Sequence, residues 1–189
     1  TMNPRSLLDA LHTAEKLKDT FRHCHTSGGK QESVADHSWR LALMAYWMRD
    51  EFPEVDMNKV ITMGLIHDLG ECFTGDIPTF HKTSADEERE ERLLNDWVRT
   101  LPAPHRDEMA ALYAEISERK TLEARIFKAL DGLEAIIQHN EADISTWEDH
   151  EYALNLSYAD DRVTFSPYLM ALREAIREET RKKIGRDNT

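Results

Sequence analysis

Apolar residues recur along this chain at spacings of three and four, the period of one helix face. Leu7, Leu11, Ala14 and Leu17 carry that spacing through residues 6–18, which predicts a helix. The stretch "HTSGGKQE" (25–32) interrupts it and reads as a loop. Ser33 is then suited to cap a helix over about 34–50, with Asp36 three residues on as an imperfect capping box. His37, Leu41, Met44 and Met48 share one face of that helix. "FPEVD" breaks it, and residues 57–69 form a second helix, apolar on most sides and stopped by Gly70. "TGDIP" reads as a turn. Residues 84–100 form a charge-rich helix with a stripe of Leu93, Leu94, Trp97 and Val98. "LPAPH" is a loop before a helix over 105–118, and 121–140 is a long helix with apolar residues nearly all round. "STWEDHEY" opens a less regular region. A last amphipathic helix covers 166–184, with Pro167 in its first turn.

No segment alternates with period two, and no repeat, linker or low-complexity tract appears. The expectation is one all-α domain over residues 2–185, a bundle of six to eight helices. At 189 residues the chain is long enough for a substantial core. Leu and Ala far outnumber Val, which favours helix over strand.

Composition then narrows the class of protein. Hydrophobic residues make up 40% and charged residues 32%, and the formal net charge is −12, which argues against non-specific nucleic-acid binding. No apolar run reaches membrane-spanning length, so no membrane partner is expected. With no signal-peptide pattern and only two cysteines, Cys24 and Cys72, neither a disulfide scaffold nor a thiolate metal site is expected. The chain is read as cytoplasmic.

Three places put a polar, metal-ligating type of side chain where packing would favour an apolar one. His37 sits on the Leu41/Met44/Met48 face. His67 and Asp68 end an apolar helix after Val60, Met63 and Gly64. Asp131 shares a face with Ala124, Phe127 and Ala135. Each has an ordinary reading: a hydrogen-bonded core histidine, or an aspartate paired with Arg125 or Lys128. Together they are more informative, because buried carboxylates need a cation or a paired charge. Two imidazoles and two carboxylates from three helices could enclose one divalent ion and leave positions open for water or substrate. Glu71, three residues beyond Asp68, could face the same point, or be a solvated charge at a helix end.

The order H…HD…D resembles that of the HD-domain metal-dependent phosphohydrolases. The blocks "ESVADHS" (32–38), "HDLGECFTGDIP" (67–78) and "KALDGLEAIIQ" (128–138) are similar to those of the 5′-deoxynucleotidase branch of that superfamily. The resemblance implies His37, His67, Asp68 and Asp131 as ligands of one divalent metal ion. Mixed histidine and carboxylate donors suit Mn, Co, Fe, Ni or Zn, and Mg less well. It implies Glu71 and Asp76 as catalytic acids, Arg22 as the group that binds a 5′-phosphate, and Lys82 as a further phosphate contact. It implies hydrolysis of (deoxy)ribonucleoside 5′-monophosphates and a homodimer, with helix 84–100 or the last helix supplying the contact. One position departs from the pattern: bacterial members of the branch have a tryptophan directly after the phosphate arginine, where this chain has His23. The choice between deoxyribose and ribose is therefore open. So are other phosphoesters, such as cyclic nucleotides or guanosine polyphosphates. A dinuclear-iron HD oxygenase would need two further histidines, for which His81 and His105 are the candidates. A non-catalytic helical binding module is the remaining alternative.

Overall fold

The computed structural model describes residues 1–187. Its framework is helical, as the spacing of apolar residues predicts. Helix α1 (Pro4–Ala14) is capped by Asn3 and continues into one 3-10 turn. Helix α2 (Val34–Met48) starts at a complete capping box: Asp36 N–H donates to Ser33 Oγ, and Ser33 N–H donates to the Asp36 carboxylate. Helix α3 (Met57–Ile66) follows, then the four-residue α4 (Glu71–Thr74), α5 (Ser84–Arg99), α6 (His105–Glu118) and α7 (Leu122–Glu141). Helices α8 (Asp149–Ser157) and α9 (Pro167–Asp187) complete the chain.

Helix α7 is the central element. It buries Ala124, Phe127, Leu130, Leu133 and Ile136 against Leu41 and Ala45 of α2, Val60 and Met63 of α3 and Leu169 and Ile176 of α9. A smaller cluster joins Leu17, Val34, Leu69, Leu94 and Val98. Helices α2 and α3 pack closely at Gly64, where an added Cβ would lie 2.5 Å from Leu41 Cδ2 and 3.4 Å from the Ala42 backbone nitrogen. Gly64→Ala is therefore expected to destabilise the fold by about 1–3 kcal/mol, the usual cost of overpacking. A thermal melt unchanged from wild type would show that the two helices can separate freely.

Three features depart from the sequence expectation. Residues Phe21–His25 (β1) and Gln31–Ser33 (β2) form a small antiparallel hairpin with a register irregularity, where no strand was expected and 25–32 read as a loop. Tertiary contact explains it: Gln138 of α7 donates to the His25 carbonyl at 2.8 Å, and Arg22 pairs with Glu32 across the hairpin. The turn closes with Thr26 N–H to Lys30 O at 2.7 Å and Gly29 at positive φ. Secondly, α3 ends at Ile66, short of the expected 69, because the Leu69 N–H bonds back to Ile66 O and tightens the chain into a turn over 67–70. Thirdly, α8 lies inside the region read as irregular, begun by a capping box between Glu148 and Glu151.

Candidate metal centre

The turn after α3 brings His67 and Asp68 under α2 and α7. His37 comes from the second turn of α2, and Asp131 from the middle of α7. His37 Nε2 lies 3.2 Å from Asp131 Oδ1 and 3.9 Å from Asp68 Oδ2. His67 Nε2 lies 2.9 Å from Asp68 Oδ2 and 3.6 Å from Asp131 Oδ1. The donor atoms of His37, His67 and Asp131 all lie within 4.8 Å of one another, and Asp68 closes the group from the His67 side.

Both imidazoles are oriented from behind. His67 Nδ1 is 2.8 Å from the Gly64 carbonyl, so it carries the proton and leaves Nε2 as a lone pair. His37 Nδ1 meets the Glu134 carboxylate in a short contact, which directs its Nε2 into the same space. His67 Nε2 is buried and has no hydrogen-bond partner, although the Asp68 oxygen is close. Two imidazole nitrogens and two carboxylates converging on one point are a donor set that could hold a cation. Burial opposes charge on His67, yet Asp68 and Asp131 outweigh it and push the imidazole up to about 10, so a proton competes with a cation for the Nε2 lone pair. Burial likewise opposes the Asp68 charge, and His67 and His37 outweigh it, holding the carboxyl at about 2. The ordinary reading of Asp131 is also partly present, since Lys128 Nζ reaches its Oδ2 at 2.7 Å while Oδ1 faces the histidines. Arg125 instead stacks on Phe165.

The other sequence-predicted residues surround this centre. Glu71 opens α4, is buried, and has an Oε2 without a hydrogen-bond partner. Burial, with Asp68 and Asp76 nearby, pushes its carboxyl up to about 10. Asp76 follows Gly75, whose positive φ turns the chain back toward the centre; burial and then Asp68 raise its carboxyl, against the pull of Arg22. Arg22 on β1 has its Nε fixed by Glu32 at 3.1 Å. Burial works against its charge, and Glu32, Asp68, Glu134 and Asp76 more than offset that. Lys82 is held 2.8 Å from Glu90 of α5, so its ammonium is already paired, though Asp68 and Glu71 lie within its field. His81 and His105 join no metal-type group among the described residues: His81 packs on Phe80, and His105 faces Glu108 at 3.8 Å on the surface.

Sequence reasoning missed Glu134. Arg40 holds it at 2.7 Å, and Arg40 also bonds Gln138 at 2.7 Å and pairs with Glu141. Its signal was there: Glu134 is one helical turn after Asp131, inside a run of apolar residues. Glu32, His37 and Glu134 also form a buried three-ligand group. Two guanidinium groups, Arg22 and Arg40, already neutralise those carboxylates, so this group supports the centre instead of forming a second one.

Residues 14–172 match the HD domain. The chain belongs to the HD domain family. Its relatives include the human protein named 5′-deoxynucleotidase HDDC2, 32% identical over 152 residues, which cover 78% of this chain and 71% of that one. The Dictyostelium discoideum protein of the same name is 33% identical over 136 residues, covering 67% of this chain and 72% of that one. Among solved structures, a "Predicted metal-dependent phosphohydrolase" from Magnetospirillum magnetotacticum superposes with a TM-score of 0.79 at 28% identity, covering 95% of both chains. This HD domain thus shares its helical fold with proteins across most of its length. No helix among its described residues is long and apolar enough to cross a membrane.

Proposed function

We propose that this HD domain is a metal-dependent 5′-nucleotidase that hydrolyses (deoxy)ribonucleoside 5′-monophosphates to nucleoside and phosphate. The observation that carries the reading is the convergence of His37, His67, Asp68 and Asp131 beside the half-buried Arg22 and two further carboxylates. The names of the relatives in humans and Dictyostelium support the substrate class. The four ligands would hold one divalent cation, which when bound supplies Lewis acidity toward a phosphate oxygen and acidifies water.

The chain's own groups account for the rest. Glu32 engages Arg22 Nε, which leaves both terminal nitrogens to clamp a phosphate. Glu71 presents its unbonded Oε2 to hold a proton of the attacking water, and Asp76 serves the leaving oxygen. A water oxygen forms the new bond to phosphorus, the ester P–O bond breaks, and a proton ends on the 5′-oxygen of the nucleoside. Lys82 adds charge at the rim through its field, while Glu90 keeps its ammonium in place.

The test is a phosphatase screen with Mn²⁺, Co²⁺, Ni²⁺, Zn²⁺ and Mg²⁺, set against 5′-deoxyribo- and ribonucleoside monophosphates side by side. No hydrolysis with any metal would overturn the reading. Arg22→Ala is expected to lower kcat/KM about ten- to hundredfold, from the roughly 1.5–3 kcal/mol of a charge-assisted hydrogen bond. Arg22→Lys should restore only part of it, because an ammonium cannot make the bidentate contact. An Arg22→Ala variant as active as wild type would remove Arg22 from the mechanism.

We also read the chain as a cytoplasmic homodimer, a state that light scattering would check. Both cysteines are free, which supports the compartment. Most of the exposed large apolar residues lie on α1, α2 and α3 and near the start of α9, with Phe21 on β1 and Phe80 in the loop before α5 besides. They include Leu11, Trp39, Trp47 and Leu65, and among the described residues α5 carries none.

A further inference from the structure

A cavity of about 110 Å³ opens beside Arg22 and Asp76 and extends to α8. Phe80, Ile136, Leu154 and Tyr158 give it apolar walls. Its α8 side is polar, made by Glu151 and Asn155, with His23 and His139 alongside.

One feature of that polar side has no structural explanation within the fold, and a second is explained only in part, by the capping box of α8. Asn155 is buried, 3% exposed, and its Nδ2 has no hydrogen-bond partner. Its backbone is fixed independently, since the buried Arg173 of α9 donates to the Asn155 carbonyl at 3.1 Å. Among the described residues, Glu151 is a buried carboxylate without an arginine or lysine partner. It accepts from the Glu148 N–H at 2.7 Å, and His23 and His139 stand 3.3 and 3.6 Å away. Burial pushes His139 down to about 4, so that ring is neutral and supplies no charge. A carboxylate has more acceptor sites than these contacts use, and an unmet buried amide donor is costly.

We propose that this polar side is a recognition site for the nucleoside part of the substrate, with Asn155 Nδ2 donating to the guest and Glu151 accepting from it. The inference rests on the 5′-nucleotidase reading for the identity of the guest. A phosphate clamped at Arg22 would bring the group it esterifies into this cavity. The fitting chemistry is an acceptor and a donor side by side. A sugar hydroxyl offers both on one atom, and the edge of a nucleobase offers them on adjacent atoms. The apolar walls suit the faces of a ring. A second phosphate would meet the Glu151 carboxylate, so nucleoside polyphosphates fit poorly.

Nucleosides lack the phosphate, so their binding reads this site without hydrolysis. Calorimetry with the full chain would use adenosine, 2′-deoxyadenosine, 2′,3′-dideoxyadenosine and cytidine. Wild type is expected to bind, and Asn155→Asp, which removes the donor at constant size, is expected to weaken binding at least about tenfold. Asn155→Leu provides a second variant should the aspartate disturb the fold, with thermal melts as the control. Loss of binding on removing sugar hydroxyls would identify the sugar as the group read; a difference between adenosine and cytidine would identify the base. Absence of nucleoside binding by wild type, or equal binding by both variants, would overturn the inference even if monophosphates are hydrolysed. Asn155-dependent binding without hydrolysis of any monophosphate would uphold the site and overturn the 5′-nucleotidase reading.

Discussion

Asp68→Ala is expected to yield a folded protein that neither retains a divalent metal nor hydrolyses phosphomonoesters. Asp68 Oδ2 is the oxygen nearest His67 Nε2, at 2.9 Å, and also faces His37 Nε2 at 3.9 Å. Removing it takes one of the two negative charges that a divalent ion would meet, and leaves two imidazoles and Asp131. The loss should reach several kcal/mol of transition-state stabilisation, at least about a thousandfold in rate. Binding gives a second readout. A ligand that binds only the native state raises the melting temperature, so Mn²⁺ should stabilise wild type and leave Asp68→Ala unmoved. Retained hydrolysis in this variant would sink the single-metal mechanism.

The second large effect is expected at a residue that touches no substrate. Glu134 is fully buried, orients His37 through Nδ1 and is itself held by Arg40. In Glu134→Gln the amide oxygen can serve only one of these two partners, and the charge that favours the correct His37 tautomer is gone. Metal affinity should fall about ten- to hundredfold, as is usual for groups that orient a ligand from behind. Arg40 keeps Gln138 and Glu141 as partners and is partly exposed, so the cost to stability should be only about 1–3 kcal/mol. Metal titration followed by calorimetry, with melts in chelator, separates the two effects. An unchanged metal affinity together with a lower melting point would make Glu134 purely structural.

The two residues also show what was legible in the chain. Asp68 stands out because a charged pair ends an apolar helix. Glu134 has the same kind of signal, but an acid within a long, charge-bearing helix is common, and only its contact with His37 gives it a role. The hairpin was hidden for a related reason. "FRHCH" and "QES" show no alternation, because one side of the pair is satisfied by Gln138 and by the Arg22–Glu32 pair instead of by an apolar core. Lys82 was legible as a cation near the motif, while its partner Glu90 depends on how α5 lies against the turn after α4.

Local rules governed what the sequence by itself determined. Helical spacing, the Ser33 cap and the glycine turns decided the all-α framework, and the H…HD…D order marked His37, His67, Asp68 and Asp131 as a set. The helical spacing, the cap and the turns are signals within a few residues, where covalent geometry and capping act; the four-residue set spans much of the chain and was legible only through the order it shares with a known family. Tertiary structure alone decided which nitrogen each histidine presents, that Arg22 reaches the centre from a strand, and that Asn155 and Glu151 line the cavity beside it. Apart from His67, whose ring is set by the Gly64 carbonyl three residues back, these depend on partners further apart in sequence, such as Glu134 for His37 and Arg173 for Asn155, and such pairings exist only once the helices have packed.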